Sequence, residues 1–351
     1  MKTLWLLTVF LTSFVTSATD FRGAEFLGFS SFTNFTSRGD ELISEIIGPK
    51  DKWDELVISW NVGIAGKCAV EVKAELVVSP ERVLAQRIAT WRVGTNRFSA
   101  QNEQTLGEFG KLDCDTVKLA EPGTAGVRVI LKFFDGARAE HLKFLGLSFR
   151  NSTVKPEVLE ANRRARGKVV EVRTRSQLDY PEGAKIWCSP TSTSMILDYW
   201  SQQLNRSEMS LTVPEVARLV HDVVYKGTGN WTFNTAFAGC FPRMRGYVTR
   251  LTDVSELEDW IEAGIPVATS VSYNRLKGRG TNGSGHLIVC VGFNEAGDIV
   301  VNDPGTQLSN VRRTFSRDLF RQAWADSGNT VYIIYPEGAK IPKDRFGHWE
   351  R

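Results

Sequence analysis

The sequence predicts an all-β sandwich of jelly-roll type over residues 19–151, followed by an α+β domain over residues 169–351. Three observations predict it. The chain has 351 residues, and at about 150 residues per domain that length favours two domains over one. From Phe21 to Arg150 the apolar residues recur in short β-branched and aromatic runs, many alternating with polar residues, and no long helical pattern intervenes. After a polar, basic stretch the pattern changes to helices followed by strands.

The strands of the first half are read at 56–62 (LVISWNV), 68–78, 87–93, 115–120, 127–134 and 141–149 (HLKFLGLSF), separated by clusters of Gly, Pro, Asn and Asp. The run ELISEIIG at 41–48 reads as a short helix or a further strand. STVKPEVLEANRRARGK (152–168) reads as a linker or a short crossing helix. In the second half helices are expected at 189–204, 213–226 and 254–264. Strands are expected at 266–273, 286–293, 298–303 and 330–335.

Composition narrows the function classes. Hydrophobic residues at 42% and charged residues at 24% exclude a wholly disordered chain, collagen and coiled-coil rods. A net charge of +3 without a Lys/Arg run gives no reason to expect a nucleic-acid partner. Residues 1–18 read as a signal peptide: Lys2, an apolar stretch from Leu4 to Val15, and small residues up to Ala18. That stretch is shorter than the ~20 residues a spanning helix needs. The mature protein is therefore expected to be secreted or periplasmic, with no stable membrane insertion. Sequons at Asn34, Asn151, Asn205, Asn230 and Asn282 would permit glycosylation on a eukaryotic route.

The cysteines, Cys68, Cys114, Cys188, Cys240 and Cys290, are odd in number and show no CxxC spacing. No zinc, other metal or cofactor is expected. A Cys68–Cys114 disulfide is expected, because both lie in the β-rich half of an exported chain and their pairing leaves Cys188 free.

Cys188 stands in KIWCSPTSTSMILDYW at the start of a helix. Ser189 is expected to cap that helix and Pro190 to sit in its first turn. The helix dipole and the unpaired backbone N–H groups there favour a thiolate. A cysteine nucleophile needs a base, and four histidines are available. His141 reads as a strand residue, His221 as core or core margin in a helix, and His348 as part of a frayed tail. His286 opens a strand directly after the glycine-rich RGTNGSG, where it can face a helix start across a cleft. In the following strand Asp303 can hold the second ring nitrogen of His286, and the neighbouring Asn302 could do so without charge. Gln177, eleven residues before Cys188, can donate its amide to an oxyanion together with the Cys188 N–H.

The order Gln177, Cys188 in WCSPTSTSM, His286 in GHLIVCVGF and Asp303 in VNDPG resembles the papain-like cysteine peptidases, specifically the C39-like family. The resemblance spans about 170–336. Ser189 departs from it, since the family more often has glycine after the nucleophile. The β-rich half, through SWNV, the Trp91 strand and LDCDTVKL, is similar to the sandwich that precedes the peptidase in some secreted C39-like proteins. Such a sandwich implies a possible carbohydrate or peptide ligand. The resemblance implies a papain-like fold and a secreted cysteine peptidase with catalytic residues Cys188, His286, Asp303 and Gln177, acting on a peptide or protein substrate through a thioester. The same machinery would serve an amidase or transferase. From a different class, the chain would be a non-catalytic secreted binding protein.

Overall fold

The computed structural model describes residues 21–63, 69–94, 97–100, 103, 105–280 and 285–350. The expected leader at 1–18 and Cys68 lie outside them. Cys114 carries a free thiol rather than the expected disulfide. It sits in a tight turn with φ 57°.

The first half is built of strands: β1 (Ala24–Phe29), β2 (Thr36–Arg38), β3 (Glu41–Ile43), β4 (Trp53–Val62), β5 (Ala69–Ser79), β6 (Arg82–Arg92), β7 (Phe98–Ser99), β8 (Gly110–Asp113), β9 (Thr116–Gly123), β10 (Gly126–Phe134) and β11 (Leu142–Arg150). They form two antiparallel sheets, ordered β1-β11-β4-β9-β8 and β2-β3-β10-β5-β6-β7. The ambiguous ELISEIIG contains the short strand β3. Burial along β10 alternates strictly, as one covered face requires. β4 is buried on nearly every residue, because both of its faces are covered.

The second half carries α1 (Cys188–Leu204), α2 (Val213–Val220), α3 (Trp231–Cys240), α4 (Val254–Glu262), α5 (Tyr273–Leu276) and α6 (Arg317–Ala325). Its strands are β12 (Met244–Arg250), β13 (Val267–Ser272), β14 (Gly285–Phe293), β15 (Ile299–Asn302), β16 (Arg312–Phe315) and β17 (Thr330–Pro336). They form one antiparallel sheet, ordered β12-β17-β13-β14-β15-β16. The stretch 152–168 contains one 3-10 turn, Arg163–Ala165. Asn162 ties it to α4 by donating to Asp259 and Glu262.

The helix expected at 213–226 stops at Val220. Beyond it the buried Asp222 accepts from the backbone N–H groups of Ser99, Val224 and Tyr225, which pulls the chain into a loop. His221, at the helix end, is exposed rather than part of the core. α3, in WTFNTAFAGC, has no polar face because it lies between α1, β4 and β12.

The halves share one continuous apolar core, in which Phe233 meets Trp60 and Trp91 at ring separations of 6.3 and 5.5 Å. β12 is an edge strand, and side chains of β4 take up its free backbone groups. Asn61 donates to the Gly246 carbonyl at 2.7 Å and accepts from its N–H at 3.0 Å, while Ser59 accepts from Val248 N–H at 2.9 Å. Gly239 makes this approach possible, since a Cβ there would lie 2.2 Å from the Asn61 amide. The carboxy-terminal tail, expected to fray, is docked. Gly347 carbonyl accepts from Phe26 N–H at 2.7 Å, and His348 is fully buried with Nδ1 2.5 Å from Glu256 Oε1. Among the described residues no helix is long and apolar enough to cross a membrane.

Candidate active site

Cys188 is the first residue of α1. The helix is preceded by Trp187, which offers no side-chain cap. Ser189 does not cap it either. Its hydroxyl lies 2.8 Å from the Tyr332 hydroxyl, inside the fold. The thiol instead accepts from the backbone N–H of Ser189 in the first turn and of Leu287 on β14. α1 packs on β14, where Ser192 hydroxyl donates to the Leu287 carbonyl at 3.1 Å. That contact sets the register between Cys188 and the residue before Leu287, which is His286.

His286 pairs with Val271 across β13–β14 and is 4% exposed. Its Nε2 lies 2.7 Å from Asp303 Oδ1, and its other ring nitrogen is left for the Cys188 thiol, with which it hydrogen-bonds. Asp303 is the first residue beyond β15, free to turn toward the imidazole. Asn302 stays within the strand and does not face His286. It donates to the Val172 carbonyl at 3.1 Å and accepts from Arg312 at 2.9 Å. The alternative the sequence left open is resolved by this register.

Gln177 opens a 3-10 turn, Gln177–Asp179, anchored by its N–H to the Pro304 carbonyl at 3.0 Å. Its Nε2 donates to the Ala184 carbonyl at 2.8 Å, and its Oε1 is buried without a partner. Gln177, Cys188 and His286 all line one cleft of about 980 Å³. Residues 113–116, at the β8–β9 turn of the first half, form part of its wall.

Three neighbours were not singled out from the sequence. Arg313, on β16, donates to Asp303 Oδ2 at 3.0 Å, and Gly305 N–H donates to Oδ1 at 2.9 Å. Tyr273 lays its ring 4.0 Å from the imidazole and donates its hydroxyl to the Gly305 carbonyl at 2.9 Å. Gly305 must lack a side chain, since a Cβ would lie 2.7 Å from the Tyr273 hydroxyl and 2.9 Å from the imidazole. The N-D-P-G tetrapeptide signals that turn. Nothing local marks Arg313, which arrives through the pairing of β16 with β15, or Tyr273, which opens α5 directly after β13. Of the other histidines, His141 accepts from Arg138 N–H at 2.9 Å at the end of a 3-10 turn, and neither it nor His221 nor His348 enters the cleft.

Burial alone would raise the Cys188 thiol, but the hydrogen bond and charge of His286 and the N–H groups of Leu287 and Ser189 outweigh it and lower its pKa. Burial would likewise lower His286, yet its bonds to Asp303 and Cys188 raise it from 6.5 to about 9. Burial pushes Asp303 upward, and His286, the Gly305 N–H and Arg313 together hold it below the usual carboxylate range. All three shifts favour an imidazolium beside a thiolate. By contrast, burial pushes Cys240 and Cys290 up to about 12. Among the described residues no three His, Cys, Asp or Glu side chains gather as a metal site.

The model of the Peptidase_C39 like family matches residues 169–332. Among solved structures, one described as a C39-like peptidase from Bacillus anthracis is 17% identical. The match covers 49% of this chain and 99% of that one, with a TM-score of 0.38. No curated protein matches the chain.

Proposed function

We propose that the chain is a secreted or periplasmic cysteine peptidase in which Cys188, His286 and Asp303 act as the triad and Gln177 supports the oxyanion. The observation that carries this reading is the contact chain Cys188–His286–Asp303, with Cys188 and His286 on the cleft wall and Asp303 buried behind them, and with a lowered thiol and a raised imidazole. The C39-like family match over the same half supports it. The export part of the reading rests on residues 1–18.

The Cys188 thiolate attacks the amide carbonyl, forming a C–S bond as the carbonyl electrons move onto oxygen. The Cys188 N–H and the Gln177 amide hold that oxyanion. Collapse of the intermediate breaks the C–N bond, and His286 gives its proton to the leaving amine. His286 then takes a proton from water, which attacks the thioester and releases the acid, and the Cys188–His286 ion pair is restored. Asp303 holds the imidazole in the tautomer and orientation this requires. Tyr273, over the face of His286, keeps water from the His286–Asp303 bond.

The same reading extends to the fold. The two amino-terminal sheets are the faces of a β-sandwich, which the alternating burial of β5 and β10 supports. The second half is papain-like, with the nucleophile on a helix start and the base on the facing sheet.

Iodoacetamide labelling of the intact protein near neutral pH, followed by peptide mapping, tests the proposal. Cys188 should alkylate faster than Cys240 and Cys290, and Cys188→Ala should abolish peptide hydrolysis. Equal labelling of the three thiols, or full hydrolysis by Cys188→Ala, would overturn it.

A further inference from the structure

The cleft around Cys188 is lined by more positive than negative charge, and every carboxylate on its wall is already committed. Asp113 is bound by Lys118 at 2.7 Å. Glu55 is shared by Arg150 at 2.8 Å and Arg250 at 3.2 Å. Asp326 is held by Arg275 at 2.6 Å. Asp115 is buried and accepts from the backbone N–H groups of Trp231 and Thr232 at the start of α3.

Three ammonium groups on the same wall have no such partner. Lys185, Lys226 and Lys277 line the cleft, and none makes an ion pair among the described residues. They come from three separate loops that converge on the site. Lys185 lies three residues before Cys188. The loop of Lys226 is tied to the loop of Lys185 where Thr228 hydroxyl donates to the Ile186 carbonyl at 2.9 Å. Lys277 rests 3.6 Å over the ring of Tyr273, whose ring is in turn 4.0 Å from that of His286. Lys226 also holds φ at 55°, a left-handed conformation that a residue with a side chain adopts only at a cost.

We propose that this cleft selects an anionic substrate, a peptide with carboxylate side chains flanking the scissile bond, held by Lys185 and Lys226 on the Cys188 side and by Lys277 on the His286 side. The proposal rests on the peptidase reading and names its substrate class. The physical reason is that a concave wall with an excess of positive charge focuses its field on the cleft and raises the local concentration of anionic ligands. Carboxylates of the substrate find three unpaired ammonium groups there, whereas a basic peptide finds no free carboxylate on the wall.

The test compares the intact protein with a Lys185→Glu/Lys277→Glu variant on matched fluorogenic peptides whose flanking residues are Glu, Gln or Lys. The wild type should cleave the Glu peptides with kcat/KM roughly ten-fold or more above the Lys peptides at low salt, and the gap should close as salt is added. The variant should reverse the order. Equal rates on the three series, or an order that salt does not move, would overturn the proposal. If none of the peptides is cleaved, the ratio of iodoacetate to iodoacetamide alkylation at Cys188 decides. A ratio that falls roughly ten-fold in the variant supports the charged wall, and an unchanged ratio rejects it. Iodoacetamide alkylation of Cys188 no faster than that of Cys240 would instead overturn the peptidase reading, and the substrate class would fall with it.

Discussion

Replacing Asp303 by Asn isolates the electrostatic part of the site. Asp303 Oδ1 accepts from His286 Nε2 and from Gly305 N–H, and Oδ2 accepts from Arg313. In Asp303→Asn one of these oxygens becomes an NH2 group that must face a donor. Facing Arg313 is the cheaper choice, because that guanidinium is partly exposed and can turn to water. His286 then keeps an acceptor at the same place and loses the charge behind it.

The rise of His286 from 6.5 to about 9 amounts to about 3 kcal/mol in favour of the imidazolium. Burial opposes that rise, and Asp303 and Cys188 supply it together. Removing the carboxylate charge should lower the imidazole by about 1–2 pH units. In the proposed hydrolysis the protonated imidazole releases the leaving amine, so the alkaline limb of kcat/KM, expected near 9 in the wild type from His286, should move down by that amount. The ultraviolet absorbance of the Cys188 thiolate at neutral pH should fall with it, since the thiolate loses part of its counter-charge. The pair also contributes to folding with a defined sign. The raised His286 stabilises the fold fully below its ordinary 6.5, and this is lost as pH rises through about 9. The lowered Asp303 stabilises it above the ordinary carboxylate range, and this is lost as pH falls. An alkaline limb that stays near 9 in Asp303→Asn would refute the assignment of the charge to this role.

Two other substitutions separate the oxyanion donor from the scaffold. Gln177→Ala should lower kcat for amide hydrolysis by roughly 10²–10³-fold while the alkylation rate of Cys188 stays near wild type, since alkylation forms no oxyanion; stopped-time assays of both on one preparation read the split. His348→Ala should destabilise the fold by about 3 kcal/mol, read as a lower urea midpoint, because it leaves the fully buried Glu256 without its partner. Glu256 is held below the usual carboxylate range, burial being outweighed by His348 and the bonds from Thr252. The deficit should therefore be largest at neutral pH and shrink as pH falls through that range.

What the sequence revealed follows the range of the interactions involved. Cys188, His286 and Asp303 each sit next to a local signal: a helix start, a glycine-rich loop before a strand, and N-D-P-G after one, whereas Gln177 has only its place in the order ahead of Cys188. Such signals depend on a few neighbouring residues, so they survive without tertiary information. The choice between Asn302 and Asp303 does not, because it turns on where β15 ends against β14. Arg313 reaches the site through the pairing of β16 with β15, and Tyr273 through its place at the start of α5 directly after β13, so no local signal marks either one. α3 escaped for another reason. A helix packed on all sides has no polar face, and period alone cannot tell it from other buried segments. The tail was misjudged because a terminus is mobile by default, and the contacts that hold it, from Phe26, Thr249 and the buried Glu256, come from distant parts of the chain.

The cleft owes its shape to contacts that neither half makes alone. Asp115, at the β8–β9 turn of the first half, accepts from the N–H groups that open α3, and α3 in turn packs on α1, the helix that begins with Cys188. Asn61 and Ser59 fill the free edge of β12, which makes the sheet bearing His286 continuous with the core of the first half. The turn that carries Asp115 also presents Asp113 and Cys114 to the cleft. A change in the first half that loosened this turn would thus act on Cys188 through α3 and on the cleft wall directly. The amino-terminal half belongs to the site as a structural wall, and its aromatic residues, Trp60 and Trp91 among them, are spent on the core that holds the wall in place.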